Sequence, residues 1–128
     1  MKLRSLLFAA LLASPAFAGP ALAHHGWSWT ETGFFQLEGI IKDIYVGNPH
    51  VTMDVDVEGT IWRVELAPLA PTNAAGFTEA SAKAGDEVTA IGNRSSDHGE
   101  TRMKAVRVIV NGATYDVYPD RAKAIEGA

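Results

Sequence analysis

Apolar and polar residues alternate along most of the chain after residue 33, with the period of two that is typical of half-buried β-strands. The clearest example is 50–57 (HVTMDVDV), where every second residue is apolar. Two turns are marked by Glu58-Gly59 and by Asn111-Gly112, and the second is the type of dipeptide that most favours a tight hairpin. The pattern predicts six strands, at residues 34–46, 50–57, 60–66, 86–92, 103–110 and 114–118.

The first predicted strand is unusually long and changes its alternation part of the way along. Leu37, Gly39 and Ile41 share one parity, whereas the apolar residues after Lys42 and Asp43 have the other. A parity change inside one strand predicts a bulge or a sharp bend, and Gly39 is a candidate for the bend. Between the third and fourth strands, residues 68–76 predict a short helix that stops at Gly76.

The order of these elements predicts an all-β domain, a small five- to six-stranded OB-like Greek-key barrel with one short helix. A generic small β-roll is the competing fold. In OB-type barrels the loop between strands 1 and 2 and the loop between strands 4 and 5 lie near one binding face. Those loops carry His50 and His98 here.

The first 23 residues have the composition of a secretory signal peptide. A basic start is followed by a short apolar run at 6–12 and by two small-x-small sites, Ala16-Phe17-Ala18 and Ala21-Leu22-Ala23. The predicted organisation is a signal peptide at 1–23, an N-terminal arm at 24–33, the barrel at 34–118 and a frayed C-terminal tail at 119–128. The expected location is the periplasm, as a soluble protein after signal cleavage.

Charge and cysteine content narrow the classes of function. Cleavage after Ala23 removes Lys2 and Arg4 but no acidic residue, so nine basic and 15 acidic residues remain, with a net charge of −6. Such a surface repels phosphate backbones, so a nucleic acid is not an expected partner. No second apolar run is long enough to span a membrane. The absence of cysteine excludes disulfides and thiolate sites, and no catalytic motif is found, so an enzyme is not predicted.

The candidate chemistry lies in the histidines at the predicted cleavage site. If cleavage follows Ala23, the amine and imidazole of His24 form a chelate that an imidazole from elsewhere completes. If cleavage precedes Ala23, the sequence Ala23-His24-His25 gives a square-planar nitrogen set that suits Cu(II) or Ni(II). If it falls before Gly19, neither chelate forms, and solvated arm histidines are the plain alternative in every case.

His50 is the expected third ligand beside His24 and His25, because it stands at the rigid end of a strand after Asn48-Pro49. A turn histidine that only hydrogen-bonds the backbone is the alternative. Copper is favoured over zinc because the ligands are nitrogen and no cysteine is available. His98 lies in a turn-like loop where a solvated histidine is more common than a ligand.

The arm is long enough to bring its histidines to His50. Ten residues separate His24 from Phe34, which allows up to about 33 Å of extended chain. The arm enters at the start of strand 1, whereas His50 follows the end of that strand, so the arm has to fold back along the barrel. Trp27 and Trp29 are expected to dock the arm on the barrel.

Four short motifs resemble a family of small exported bacterial proteins of unknown function. They are His24-His25-Gly26-Trp27, Asn48-Pro49-His50, Trp62-x-x-Glu65-Leu66 and Ala84-Gly85-Asp86-Glu87-Val88. The resemblance implies export and a small β domain. Where such proteins start His-His-Ser-Phe, this chain has Gly26 and Trp27, so the aromatic side chain is kept and the hydroxyl is lost.

The residues together lead to two functional hypotheses. The first is a periplasmic metal-binding protein, with copper the expected metal, that acts in binding, buffering or delivery. The second is a metal-free OB-like module whose strand 2–3 face, with the Asn48-Pro49-His50 turn, binds a small ligand, a glycan or a partner protein.

Overall fold

The structure is a computed structural model, and it describes residues 26–127. The elements are β1 (Phe35–Tyr45), β2 (Thr52–Val57), β3 (Thr60–Glu65), α1 (Leu69–Ala74), β4 (Glu87–Arg94), β5 (Arg102–Val110), β6 (Ala113–Asp116) and α2 (Pro119–Ala122). All six predicted strands and the predicted helix are present, with bounds that differ by one or two residues.

The strands form one closed barrel with an extra outer strand. Their order is β3-β2-β1-β4-β5-β6, and every neighbouring pair in that order is antiparallel. A parallel pairing of β3 with β5, Val64 opposite Met103, joins the two sides of the sheet. Five strands therefore close the barrel and β6 lies outside it. This is the predicted OB-like architecture.

The long first strand serves two neighbours because it bends. Its register against β2 shifts between Ile41 and Asp43, which makes Lys42 the bulged residue and confirms the predicted bulge. Gly39 lies where a Cβ would collide with the backbone of Asp56 on β2. The glycine thus permits a close approach of two strands, three residues before the bulge.

The alternation in sequence matches the inside and outside of the barrel. Val51, Met53 and Val55 are almost fully buried. The two predicted hairpin turns have positive φ at both central residues, Glu58-Gly59 and Asn111-Gly112, as type I′ turns require. Inward apolar side chains and two tight turns therefore fix the register of β2, β3, β5 and β6.

Strand β5 is buried on both of its faces. Met103 and Ala105 are buried, and so are the intervening Lys104 and the bulged Val106. The outer face is covered where the rings of Trp27 and Tyr118 lie against the Lys104 ammonium group.

The C-terminal segment contributes to this cover. Pro119 begins the one-turn helix α2, where its fixed φ suits the first helical position, and Ala122 is buried. The structure thus adds a second short helix to the one predicted, in a segment expected to be frayed.

Within residues 26–127, no helix has the length and apolar character needed to cross a membrane.

Candidate functional site

The N-terminal arm lies against the outer face of β5 and the end of β4. Thr30 forms an isolated antiparallel bridge with Ser95, and the Glu31 amide donates to the Arg94 carbonyl. The Trp29 carbonyl accepts a hydrogen bond from the amide and another from the hydroxyl of Ser96. The arm is therefore held by backbone bonds to a strand end, although its own residues form no regular strand.

Two tryptophans of the arm pack on two cations of β5. The Arg102 guanidinium lies 3.9 Å from the centre of the Trp29 ring, and Lys104 Nζ lies 4.7 Å from that of Trp27. Because residues 102 and 104 are two apart on a strand, their side chains share a face. The arm runs antiparallel to β5 here, and each tryptophan covers one cation.

Lys104 is a buried cation on the floor of this contact. Its residue is 2% exposed, and Nζ donates a hydrogen bond to the Gly26 carbonyl at 3.3 Å. Nζ also lies 5.6 Å from the ring centre of Tyr118. Burial lowers the pKa of Lys104 from its ordinary value of 10.5, while the nearby Glu65 carboxylate opposes that shift.

Further charged and aromatic groups surround Trp27. The Arg121 guanidinium of α2 lies 3.7 Å from the centre of its ring, and Tyr118 meets it edge to face at 4.9 Å. Burial, with a smaller effect from Glu65, raises the pKa of Tyr118 to about 12. Glu65 itself accepts a 2.7 Å hydrogen bond from Arg102. Tyr118 is therefore neutral over the physiological pH range, and Glu65 is a carboxylate already bound to a guanidinium.

His50 is positioned by a short, cross-braced turn. The peptide bond between Asn48 and Pro49 is cis. The Tyr45 hydroxyl donates to the Asn48 carbonyl at 2.7 Å, and the Asn48 side-chain oxygen accepts from the Leu69 amide at 3.1 Å. Asn48 thus ties the turn to two regular elements, β1 and α1.

Two grooves meet at His50 and Pro49. The first, about 520 Å³, is lined by Gly26, Trp27, Pro49, His50, Pro68, Lys104 and Tyr118. The second, about 330 Å³, is lined by Tyr45, Pro49, His50, Thr52, Arg63, Glu65 and Arg102. His50 is half-buried between them. Gly26 and Trp27, at the start of the described arm, therefore lie in the same groove as the His50 turn.

Of the four histidines, the structure describes His50 and His98. His24 and His25 lie outside the described residues. His98 is in the loop between β4 and β5, where it pairs with Glu31 of the arm. That loop lies at the start of β3, since the Thr101 hydroxyl donates to the Ile61 carbonyl.

His50 lies at the other end of β3. It lines a groove with Glu65, four residues and roughly 13 Å along the strand from Ile61. Among residues 26–127, no group of three or more histidine, aspartate or glutamate side chains is close enough to hold a metal ion.

The candidate site also includes residues that the sequence did not indicate. Lys104, Tyr118 and Arg121 come from β5 and the C-terminal segment, and they meet only because that segment returns over the barrel. One signal was present, a single lysine within the apolar run of β5. A lysine there requires a partner for its buried charge, and the partners lie on distant parts of the chain.

Fold and site define the chain by class alone, as an OB-like β-barrel with a docked N-terminal arm. The chain belongs to a family of unknown function, DUF6152, whose model matches residues 11–104. No curated protein sequence matches it at a significant level.

Two solved structures are similar to this chain. A chain of the S. pombe Stn1-Ten1 complex is 20% identical, with a TM-score of 0.50, and the alignment covers 73% of this chain and 66% of that one. A mutant of TiaS lacking its ZRD, in complex with agmatine, is 15% identical, with a TM-score of 0.48 and coverage of 66% and 26%. This chain therefore spans 66% and 26% of those two chains. At 20% identity, the likeness to the Stn1-Ten1 chain concerns the fold alone.

Proposed function

We propose that the protein is an exported copper-binding protein of the periplasm, with His24 and His25 of the arm and His50 of the barrel as ligands. One observation carries this proposal. Gly26, the residue that directly follows the histidine pair, lines the same groove as His50. The arm had to fold back along the barrel for its histidines to reach His50, and residues 26–31 follow such a course.

Covalent geometry allows the histidines of the arm to come close to the His50 turn. Consecutive Cα atoms are about 3.8 Å apart, so the Cα of His25 is about 4 Å, and that of His24 at most about 8 Å, from the Cα of Gly26. Gly26 is fixed by Lys104 through its carbonyl, and Trp27 is fixed by ring contacts. A short tether from an anchored residue raises the effective concentration of the two imidazoles at the His50 turn.

The donor set favours copper. It consists of neutral imidazoles and, after cleavage at Ala23, an amine, with no thiolate anywhere in the chain. Two cleavage products remain in the proposal, one that starts at His24 and one that starts at Ala23, and they differ in the chelate formed. Imidazoles bind metal only when neutral, so copper binding weakens as the pH falls below roughly 6.

The test begins with protein recovered from the periplasm, because its intact mass fixes the first residue. Copper is then titrated calorimetrically as Cu(II), and as Cu(I) under ascorbate without oxygen. We expect tight 1:1 binding, and a loss of at least tenfold in affinity both in His50→Ala and in a chain that starts at Gly26. Equal affinity in the wild type and in the chain that starts at Gly26 contradicts the proposal.

A specific observation also favours the metal-free module. The groove on the β2–β3 face adjoins Tyr45, which is 53% exposed and held by its hydroxyl bond to Asn48. An anchored, exposed aromatic ring beside arginine and carboxylate side chains is suited to a small polar ligand or glycan. Under this alternative His50→Ala impairs capture of a periplasmic ligand or partner, whereas removal of residues 24–25 does not.

A further inference from the structure

We infer that the outer face of β1, β2 and β3 binds a neutral saccharide chain, with the ring of Tyr45 as the surface on which a sugar ring stacks. The inference rests on the metal-free alternative described above, since it names the ligand class and the binding residues of that face. It requires neither copper nor residues 24–25. It is carried by the position of the Tyr45 ring, by the order of the polar side chains beside it, and by the pairing of their charges.

Side chains of the three neighbouring strands form two parallel rows across this face. The rows are Tyr45–Thr52–Glu65 and Asp43–Asp54–Arg63, each with one residue from β1, β2 and β3. Because neighbouring strands are about 4.8 Å apart, each row extends roughly 10 Å across the sheet, which is the length of a disaccharide. Two grooves of about 330 and 180 Å³ lie on this face, and both are lined by Tyr45, Thr52 and Arg63. They therefore form one continuous binding surface.

Tyr45 presents a fixed and exposed aromatic ring at the β1 end of this surface. Its hydroxyl donates to the Asn48 carbonyl at 2.7 Å. The ring lies against Gly47, where an added Cβ would come within 2.5 Å of the tyrosine hydroxyl oxygen and 2.6 Å of the ring carbon that bears it. Tyr45 is nevertheless 53% exposed. A ring that is already held in place loses little conformational entropy on binding, and its negative π-face attracts the C–H groups of a pyranose ring.

The arginine side chains on this face are held in place by carboxylates. Arg63 donates to both carboxylate oxygens of Asp54, at 2.7 and 3.4 Å, and Arg102 donates to Glu65 at 2.7 Å. The bonds to Asp54 use Nε and Nη2 of Arg63, which leaves Nη1 without a partner among the described residues, on a side chain that is 52% exposed. A guanidinium and a carboxylate held side by side offer donors and acceptors to neighbouring hydroxyl groups.

The pairing of these charges favours a neutral ligand. Each arginine of the groove already binds a carboxylate, so a phosphate or a carboxylate ligand has to compete with that partner. A cationic ligand likewise has to compete with a guanidinium for each of those carboxylates. A hydroxyl-rich molecule adds hydrogen bonds without breaking either pair. Pyranose rings with equatorial links suit the face best, because they form a flat ribbon that can follow a row of side chains across the strands.

The experiment is an NMR titration of the isotopically labelled periplasmic form with cellotetraose and with chitotetraose, two neutral chains of this type. We expect saturable shifts of the amide signals of Tyr45, Thr52 and Arg63 with at least one of them. Tyr45→Ala is expected to lower the affinity by about tenfold, as for the loss of one stacking contact. Arg63→Gln is expected to lower it by roughly threefold, as for an exposed hydrogen bond.

Two controls separate the Tyr45 ring from general effects of substitution and of ligand charge. Phe34→Ala removes another exposed aromatic ring, next to the opposite end of β1, and the wild-type affinity is expected there. Tetragalacturonate has a similar length but carries carboxylates, and we expect it to bind at least tenfold more weakly than the neutral chain. Arg63→Gln tests the face on a second exposed side chain, should Tyr45→Ala fail to fold.

The outcomes distinguish the inference from both functional proposals. No saturable shift with either neutral chain overturns the inference, and so does equal affinity in wild type, Tyr45→Ala and Arg63→Gln. Tighter binding of tetragalacturonate than of the neutral chains overturns it as well. Capture of a periplasmic protein that depends on His50, without saccharide binding, overturns the inference but keeps the metal-free alternative. Saccharide binding by a protein that binds no copper supports the inference and ends the copper proposal.

Discussion

Lys104 and Gly26 are joined by a hydrogen bond across 78 positions of the chain, from the buried ammonium group on strand β5 to the carbonyl at the start of the described arm. The same ammonium lies over the ring of Trp27. One side chain therefore holds both the backbone and the first aromatic residue of the arm. The arm is part of the domain because a barrel strand places a cation where the arm supplies a carbonyl and a π-face.

Trp27→Ala is expected to release the start of the arm. The substitution removes the ring over which Lys104 and Arg121 lie and leaves both cations without that contact. Cation–π and aromatic contacts of this kind predict a loss of about 1–3 kcal/mol in the free energy of unfolding. Urea denaturation measures it, and limited proteolysis is expected to cut near residue 26 sooner than in wild type. Trp27→Phe, which keeps a ring, is the control; an unchanged midpoint and unchanged cutting in Trp27→Ala contradict a docked arm.

Gly92→Ala is expected to be strongly destabilising. A Cβ at this position would overlap the Lys104 carbonyl and come within 2.9 Å of the Ala105 Cα, at the point where the β4–β5 register shifts. Since both obstacles are backbone, the strands must separate, and we expect a loss of about 2–3 kcal/mol or more. Thermal unfolding checks this against Gly33→Ala, where a Cβ would meet nothing within 4 Å. Equal melting temperatures for the two variants would contradict the close approach of the strands.

Tyr118 is expected to make the stability fall at high pH. Its pKa is raised to about 12, against an ordinary value of 10.0, chiefly because burial disfavours the phenolate. Below pH 10 the group is neutral in both folded and unfolded chains and has no effect on the pH dependence. Between pH 10 and 12 the unfolded chain loses the proton first, so the free energy of unfolding decreases as the pH rises.

The measurement for Tyr118 is the difference between wild type and Tyr118→Phe in urea unfolding from pH 8 to pH 12. We expect the difference to be constant up to about pH 10 and to shift in favour of the phenylalanine variant above it. Lys104 has the opposite effect on the free energy of unfolding. Its pKa is lowered in the folded chain, so the unfolded chain keeps this proton to a higher pH, up to about 10.5. A difference that stays flat through pH 12 would mean that Tyr118 is not buried as described.

His98→Gln is expected to leave copper affinity unchanged. His98 pairs with Glu31 at the Ile61 end of β3, whereas His50 lies at the Glu65 end. The substitution therefore affects the middle of the arm and not the proposed ligands, and a copper affinity within about twofold of wild type is expected. Calorimetric titration beside His50→Ala provides the check. A loss in His98→Gln as large as that in His50→Ala would move the site to the β4–β5 loop.

The sequence predicted most of the barrel because its signals are local. Alternation with period two gives the inward side of each strand, and Asn111-Gly112 and Glu58-Gly59 specify tight turns through their positive φ. Even the bulge at Lys42 was visible, since a change of parity within one strand has few other causes. The C-terminal helix α2 was missed because one turn of helix has no period to detect, and it forms where Ala122 is buried.

The candidate site was predicted only in part, because most of its residues are brought together by contacts between distant segments. His50 carries a local signal, the turn that precedes it, whereas nothing in residues 26–31 specifies that they lie along β5. Lys104 is the buried lysine of β5, and its role depends on Gly26, Trp27, Tyr118 and Arg121, which are 14 to 78 positions away.

By itself the sequence determined the strands, the turns, the OB-like class and the absence of thiol chemistry. Strand periodicity and turn conformation depend on neighbouring residues, and the lack of cysteine follows from the composition. Only the tertiary structure decided that β3 pairs with β5 to close the barrel, that the arm folds back to the His50 turn, and that a buried lysine lies beneath it. Those features depend on contacts between distant segments, where burial of one charge requires partners that no local pattern can supply.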